Sequence, residues 1–254
     1  MNSGAASLTH LCPPPGSRMV VVGGCGGIGR AVVNASLAAG LSVAVLDLAV
    51  SIQKHHVPEG AQALALDASS EDSVAAAFAK LDGIDCLINL CGFKGEQQKI
   101  ADLSIDAWDE SMSGNLRSAF LVSQHALKKM TAGSIVHVSS GLGVYGGITY
   151  GAYAAAKGGI NALTKTLARE YAPHIRANAV APSYVETAFG KGGTGRSTED
   201  EPETIDRNVY TRAIPMARIA QPEDIVGPIL FLAGPASRYM TGQVLHVNGG
   251  SFMP

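Results

Sequence analysis

Tyr153 lies four residues before Lys157, in a stretch that follows Ser140 and a glycine-rich loop. On a helix the two side chains share one face, one turn apart. A nearby ammonium group lowers the pKa of a phenol from its usual value of about 10. The pair therefore predicts an acid–base group that takes the proton of an alcohol or returns it to a ketone oxygen. Taken alone, the pair is equally compatible with an aromatic residue at a helix start beside a solvated lysine.

Ser140 follows an apolar run that is predicted to be a strand. Its hydroxyl can donate a hydrogen bond to the same substrate oxygen. In sheets of parallel strands, the ligand crevice lies outside the carboxyl ends of the strands. Ser140, Tyr153 and Lys157 are therefore predicted to form one catalytic site.

The glycine-rich run from Val22 to Gly29 stands between an apolar run and a predicted helix. Glycines let the backbone approach a diphosphate closely, and the helix N-terminus supplies N–H donors and positive potential. A tight turn that serves only packing is the alternative, because such a motif alone is weak.

Asp47 ends the second predicted strand, eighteen residues after Gly29. Its carboxylate can accept hydrogen bonds from both ribose hydroxyls of an adenosine and would repel a 2′-phosphate. Arg30 lies on the helix side of the loop and is not assigned to phosphate selection. The pattern predicts NAD in preference to NADP, with a turn-forming aspartate as the alternative.

Apolar runs alternate with helical patterns along most of the chain. The predicted strands are 18–22, 42–46, 63–66, 85–89, 134–138, 175–180 and 243–247. Helices are predicted at 27–39, from 70 onward, and at 107–130, 153–171 and 222–233. The strands are apolar on both faces, which predicts a doubly wound α/β domain. Its sheet has about seven parallel strands with helices on both faces.

Two segments depart from this alternation. Residues 1–17 are rich in small residues and proline, which predicts a flexible N-terminal tail before a single domain at 18–254. Residues 187–215 are polar and long for a plain connection, which predicts a lid.

Composition limits the possible partners. The chain is 46% hydrophobic and 16% charged, with a net charge of −2. This balance favours a folded core and gives no overall positive charge that would attract nucleic acid or anionic membranes. No apolar run approaches the roughly 18 residues of a membrane span. Four cysteines without a C-x-x-C pair predict free thiols in a reducing, cytoplasmic setting, and the scattered histidines predict no metal site.

Together these motifs resemble the short-chain dehydrogenase/reductase family, in its branch of roughly this length, from Arg18 onward. The family's Tyr-x-x-x-Lys motif is Tyr153 to Lys157, its serine matches Ser140, and its asparagine matches Asn115. The resemblance implies a Rossmann-type fold and an NAD-binding site. The predicted cofactor-binding residues are Gly23, Cys25, Gly27, Ile28, Gly29, Asp47, Asp67, Asn89, Gly92, Tyr153, Lys157, Pro182, Val185 and Thr187.

The sequence departs from the family pattern at four positions near the cofactor. Val22, Leu90, Cys91 and Ser183 replace a threonine, an asparagine, an alanine and a glycine of the usual motifs. These changes affect loop packing and cofactor affinity, but none removes a proton-transfer group.

The resemblance implies hydride transfer between NAD and the carbon of a secondary alcohol. Tyr153 would exchange the hydroxyl proton, Lys157 would lower its pKa and hold the ribose, and Asn115 would position a water molecule near Lys157. The predicted substrate pocket comprises Leu142, Tyr145, Tyr150 and Tyr184, with Phe93 as an addition. These residues predict an uncharged, partly apolar secondary alcohol or ketone.

Two other functions are compatible with the same motifs. One is an NADPH-dependent 3-oxoacyl-thioester reductase, against which Asp47 argues. The other is a non-catalytic dinucleotide-binding scaffold, against which the intact Ser140, Tyr153 and Lys157 argue. The resemblance also implies a homotetramer with interfaces along the long helices and the C-terminal segment.

Overall fold

The computed structural model describes residues 11–191 and 206–253, and its strands form one parallel sheet in the order β3-β2-β1-β4-β5-β6-β7. This arrangement confirms the predicted doubly wound, Rossmann-type fold. The strands are β1 (Arg18–Val22), β2 (Ser42–Asp47), β3 (Gln62–Ala65), β4 (Cys86–Asn89), β5 (Gly133–Val138), β6 (Ile175–Pro182) and β7 (Val244–Val247).

Both faces of β1 are buried, which explains why this strand is apolar along most of its length. Val20 and Val22 pack into one core with the helices at 71–79, 118–127 and 151–171. Met19 and Val21 pack into a second core with the helices at 27–38 and 222–233. The helices are α1 (Gly27–Ala38), α2 (Ala49–His55), α3 (Glu71–Ala79), α4 (Ile105–Met112), α5 (Ser118–Leu127), α6 (Leu142–Tyr145), α7 (Gly151–Tyr171), α8 (Arg207–Ala213) and α9 (Pro222–Ala233).

The predicted helix at 107–130 differs from the structure at its start and in its middle. It begins at Ile105, because the Ser104 hydroxyl caps it by accepting the N–H of Ala107 at 3.1 Å. A π-helical segment, Ser113–Arg117, then separates α4 from α5. Such segments insert an extra residue into a helix and are frequent at functional sites.

The described part of the predicted tail is packed against the domain. Pro13 is buried, the N–H of Gly16 donates to the carbonyl of Gly40 at 2.8 Å, and Cys12 lies against Gly234 after α9. Residues 11–17 are therefore part of the folded body, and residues 1–10 lie outside the described range.

The predicted lid is only partly described. Residues 188–191 form a short 3-10 helix, Ala188–Lys191, and α8 covers 207–213, whereas 192–205 lie outside the described range. Among the helices described, none is long and apolar enough to cross a membrane.

Candidate active site

The glycine-rich loop joins the end of β1 to the start of α1. A Cβ at Gly29 would collide with the carbonyl oxygen of Gly23, so the helix and the loop can approach only without side chains there. A Cβ at Gly27 would collide with the Thr187 side chain, which closes over the start of α1. Gly27, Gly29 and Thr187 line one cavity, so a helix N-terminus with its unpaired N–H groups lies at the wall of that cavity.

Asp47 at the end of β2 is tied to this loop. Its Oδ2 accepts the N–H of Cys25 at 2.8 Å, and its Oδ1 accepts the N–H of Leu48 at 2.8 Å. Burial raises the pKa of Asp47, and these two N–H groups oppose that shift. Arg30 donates to the carbonyl of Cys25 at 2.8 Å and lies 2.9 Å from His55 Nδ1.

Asp67 follows β3 at the neighbouring edge of the sheet. Its Oδ1 accepts hydrogen bonds from the N–H and the hydroxyl of Ser69, at 2.9 and 2.6 Å. Asp47 and Asp67 both line one large cavity that runs along the carboxyl ends of the strands, with a volume of about 380 Å³.

Ser140, Tyr153 and Lys157 line the same cavity beyond β1. Tyr153 and Lys157 lie on α7, and the Lys157 Nζ is 5.5 Å from the centroid of the Tyr153 ring. Lys157 Nζ also donates to the carbonyl of Val138 at 2.9 Å. The four-residue spacing therefore brings the two side chains together, with Ser140 beside them.

Burial governs the acidity of this pair, contrary to the expectation that Lys157 lowers the pKa of Tyr153. Burial raises the pKa of Tyr153 above its usual range, and a hydrogen bond with Ser140 opposes that rise. Burial also lowers the pKa of Lys157 to about 8. Desolvation disfavours both charged forms and is the largest cause of both shifts.

Asn115 lies in the π-helical segment, with its side chain fully buried. Its Nδ2 donates to the carbonyls of Phe93 at 3.1 Å and Ser111 at 2.9 Å, and its Oδ1 accepts the Phe93 N–H at 3.3 Å. A Cβ at Gly92 would collide with Asn115 Oδ1 and lie 3.2 Å from Lys157 Nζ. The Asn115 amide therefore fixes the loop after β4 directly beside Lys157.

Most of the residues predicted from the sequence line the cavity. Besides Asp47, Asp67, Ser140, Tyr153 and Lys157, the predicted residues in the cavity wall are Gly23, Gly27, Ile28, Gly29, Gly92, Leu142, Tyr145, Tyr150, Pro182, Tyr184, Val185 and Thr187, together with Phe93.

Three predicted residues, Cys25, Asn89 and Asn115, lie behind the cavity wall. The Cys25 side chain turns into the core, where burial raises the pKa of its thiol to about 12. Asn89 accepts the N–H of Cys91 at 3.1 Å, and its Nδ2 lies 3.2 Å from His137 Nδ1. All three thus support the cavity through its backbone rather than through side chains in its wall.

Several residues of the cavity wall were not predicted from the sequence. The Phe189 ring lies 5.9 Å from the Tyr153 ring, and the Tyr210 hydroxyl accepts the N–H of Tyr184 at 3.2 Å. Lys94 and Gly190 also line the cavity. These residues come from the loop after β4 and from 187–215, where no periodic pattern indicates which side chain faces inward.

Comparisons with known proteins identify similar sequences and structures. The sequence model of the enoyl-(acyl carrier protein) reductase family matches residues 23–251. The chain is 33% identical over 252 residues to a 3-oxoacyl-[acyl-carrier-protein] reductase of Aquifex aeolicus, covering 93% of this chain and 98% of that protein. It is 34% identical over 244 residues to the cis-4-hydroxycyclohexanecarboxylate dehydrogenase of Sinomonas cyclohexanicum, covering 91% and 94%.

Among solved structures, a short-chain glucose/ribitol dehydrogenase from Brucella melitensis superposes with a TM-score of 0.83. Its sequence is 29% identical to this one, and the match covers 96% of this chain and 99% of that chain.

Proposed function

The chain belongs to the short-chain dehydrogenase/reductase family of oxidoreductases, and from this premise we propose that it interconverts a secondary alcohol and a ketone with NAD. One observation carries the proposal: Ser140, Tyr153 and Lys157 line the same cavity as the glycine-rich loop and Asp47. A donor and acceptor for a substrate oxygen thus share a cleft with a site suited to a dinucleotide.

The loop and its neighbours fit NAD. The first turn of α1 would bind the diphosphate, because it offers a helix N-terminus at the cavity wall and Gly27 and Gly29 have no side chains to obstruct it. Asp47 lies at the end of β2 where an adenosine ribose would bind, and its negative charge disfavours a 2′-phosphate. Arg30 contacts Cys25 and His55 instead of the cavity, which supports its exclusion from phosphate selection.

The chain's residues supply the proton transfer. When bound, the nicotinamide accepts or donates the hydride. In oxidation the alcohol loses a hydride from carbon and a proton from oxygen, and the Tyr153 phenolate takes that proton. In reduction the Tyr153 phenol returns it to the ketone oxygen. Ser140 donates a hydrogen bond to the same oxygen, and the Lys157 ammonium stabilises the phenolate.

A second candidate is a 3-oxoacyl-thioester reductase that uses NADPH. The relative from Aquifex aeolicus, which carries the name of a 3-oxoacyl-[acyl-carrier-protein] reductase, favours it. Both candidates use the same catalytic residues and differ in cofactor and substrate.

Titration of the purified protein with NADH and NADPH, followed by nicotinamide fluorescence, separates the candidates. We expect tighter binding of NADH and turnover of secondary and cyclic alcohols with NAD. Asp47→Asn should shift the NADH-to-NADPH affinity ratio at least tenfold toward NADPH, since it removes the charge that repels a 2′-phosphate. Asp82→Asn, at an exposed residue outside the cavity, is the matched control. Tighter NADPH binding by the unchanged protein, with turnover of 3-oxoacyl thioesters, would favour the second candidate.

A further inference from the structure

The Tyr145 ring forms part of the cavity wall close to Ser140. Tyr145 ends α6 and lines the same cavity as Ser140 and Tyr153. A Cβ at Gly141 would lie 2.9 Å from Cε1 of Tyr145, so the ring folds back over the backbone that follows Ser140. The position of this ring therefore sets the space beside the hydroxyl that contacts the substrate in the proposed function.

The helix that carries Tyr145 gives the ring little support of its own. It has only four residues and ends at Gly146, whose φ of 72° lies in the left-handed region. Tyr145 is 48% exposed. A half-exposed side chain on a single helical turn has several rotamers open to it. The position of the Tyr145 ring therefore depends on contacts with other parts of the chain.

Phe252 supplies such a contact from outside the cavity. Its ring centroid lies 4.5 Å from that of Tyr145, and the two ring planes are inclined at 45°. Tyr145 is among the described residues that line the cavity and Phe252 is not, so Phe252 supports the ring from behind. Aromatic pairs at such separations stabilise each other beyond the area that they bury.

The segment that follows β7 in turn fixes Phe252. The buried Asn248 donates from its Nδ2 to the carbonyl of Phe252 at 2.6 Å, and its Oδ1 accepts the N–H of Gly250 at 3.0 Å. The His246 ring lies 6.0 Å from the Phe252 ring on another side. The Phe252 ring thus stands on a hydrogen-bonded turn and can act as a fixed support for Tyr145.

We propose that Phe252 is a positioning residue that holds the Tyr145 ring at the substrate end of the cavity and thereby limits the size of the substrate. This inference rests on the proposed alcohol–ketone function and adds to it a specificity-determining residue outside the cavity wall. Without the Phe252 ring, Tyr145 can swing outward into the vacated space. The cavity then widens near Ser140, so that small substrates lose contact area and larger ones gain room.

Alcohols of graded size test this role in turnover. Cyclohexanol, 4-methylcyclohexanol and 4-tert-butylcyclohexanol are each oxidised with NAD. For Phe252→Ala, we expect the ratio of kcat/KM for the largest alcohol to that for the smallest to rise about 5- to 20-fold, mainly through KM. Phe252→Tyr keeps the ring and should retain the original ratio within about twofold. Met253→Ala, at a 77% exposed residue of the same segment, is the matched control and should retain it too.

A double variant shows whether Phe252 acts through Tyr145. Tyr145→Ala removes the ring that Phe252 is proposed to hold, so adding Phe252→Ala to it should change the ratio less than about twofold. Effects that multiply in the double variant would overturn the inference. Light scattering of Phe252→Ala should give the mass of the unchanged protein, since a changed mass would assign Phe252 to an interface between copies instead.

A measurement without substrate decides the inference even if no alcohol is turned over. In protein with isotope-labelled tyrosine rings, the NMR signal of Tyr145 is identified by its loss in Tyr145→Phe. We expect Phe252→Ala to move this signal and Met253→Ala to leave it in place. An unmoved signal, or an unchanged ratio in a folded Phe252→Ala, would overturn the positioning role and leave the proposed function intact. Absence of any alcohol or ketone turnover by the unchanged protein would refute that function separately.

Discussion

Burial sets the protonation states of the two side chains at the start of α7. Because burial raises the pKa of Tyr153, its phenol carries a proton at neutral pH. Burial lowers the pKa of Lys157 to about 8, so its ammonium still predominates at pH 7. The protein alone therefore presents Tyr153 in the acid form that the proposed ketone reduction needs. The proposed alcohol oxidation would need the positive charge of Lys157 to stabilise the phenolate.

Tyr153→Phe removes the proton donor and keeps the ring. We expect turnover to fall by at least 100-fold, since positioned acid–base groups contribute factors of about 10² to 10⁴. Binding of NADH, measured by fluorescence, should change less than threefold. Tyr239→Phe, at a tyrosine that is fully exposed, serves as the control. Turnover near the original rate in Tyr153→Phe would remove Tyr153 from the mechanism.

His137 on β5 supports the cavity from within the sheet. Its Nδ1 accepts a hydrogen bond from Asn89 Nδ2 at 3.2 Å, and its Nε2 lies 3.3 Å from the Ser123 hydroxyl, which donates to the Ala119 carbonyl. This chain of bonds suits the neutral imidazole, because a second ring proton would face the Asn89 amide. Burial lowers the pKa of His137 from 6.5 to about 4.

The lowered pKa of His137 makes stability depend on pH. Between pH 6.5 and about 4 the unfolded chain binds a proton at His137 that the folded chain does not, so stability falls as pH decreases through this window. From pH 7 to pH 5 we expect this group to account for about 2 kcal/mol of the free energy of unfolding. Measured with urea, the free energy of unfolding of His137→Asn should fall less between pH 7 and pH 5 than that of the unchanged protein. The variant His174→Asn, at an exposed histidine, should lose as much as the unchanged protein does. Equal losses in all three proteins would contradict the assignment.

At the scale of elements, the π-helical segment connects a helix to the active-site loop. Its residue Asn115 satisfies both the N–H and the carbonyl of Phe93 and also the carbonyl of Ser111. An α-helix without the extra residue would place this side chain at a different angle around the helix axis. The π-helical segment thus positions the Asn115 side chain so that it fixes the loop that carries Gly92 and Lys94.

Asn115→Ala should remove the three hydrogen bonds that the Asn115 amide makes with these buried backbone groups. We expect a loss of about 2–3 kcal/mol in the free energy of unfolding, measured with urea, because buried unsatisfied groups cost about 1–3 kcal/mol each. A fall in kcat/KM should accompany it as the loop beside Lys157 loosens. Asn34→Ala on the exposed side of α1 is the control. Unchanged stability in Asn115→Ala would mean that water replaces the amide.

The strands and the longer helices could be predicted from the sequence, whereas the short helices α2, α6 and α8 and the π-helical segment were not predicted. The inner strands were recognisable because their residues are apolar and buried on both faces, and α9 because Pro222 marks its first residue. The spacing of Tyr153 and Lys157 followed from residue types, although α7 begins two residues before the predicted start, at Gly151. Lys94 and Phe189 were missed because tertiary contacts alone, with Gly190 and the Tyr153 ring, turn them toward the cavity.

At the scale of the whole molecule, strand order determines the order of the chemical groups. Moving from β3 across the sheet, the cleft presents Asp67, then Asp47, then the glycine-rich loop after β1, and then Ser140 after β5. Under the proposed function, an extended dinucleotide would bind with its adenosine over the first strands and its nicotinamide near Tyr153. The same order puts the carboxylates of Asp67 and Asp47 on one side of β1 and the ammonium of Lys157 on the other side.

Family membership leads us to predict a homotetramer, and the described surface carries exposed apolar side chains that such an assembly would cover. Phe120 on α5 is 46% exposed and Ile105 on α4 is 73% exposed, and β7 is an outer strand whose residues are only half-buried. Covering apolar side chains and an open strand edge with copies of the same chain is favourable. Light scattering after gel filtration should give about four times the 26.1 kDa chain mass.

A charge placed on α5 tests which surface is covered. Phe120→Glu would bury a carboxylate if this helix lies in an interface, so we expect it to yield dimers held by the remaining contact. The matched change Val50→Glu, at a residue of α2 that is 52% exposed, should leave the mass unchanged. Circular dichroism must show both variants folded. A monomeric unchanged protein would exclude the tetramer, and an unaffected mass in Phe120→Glu would exclude α5 from its interfaces.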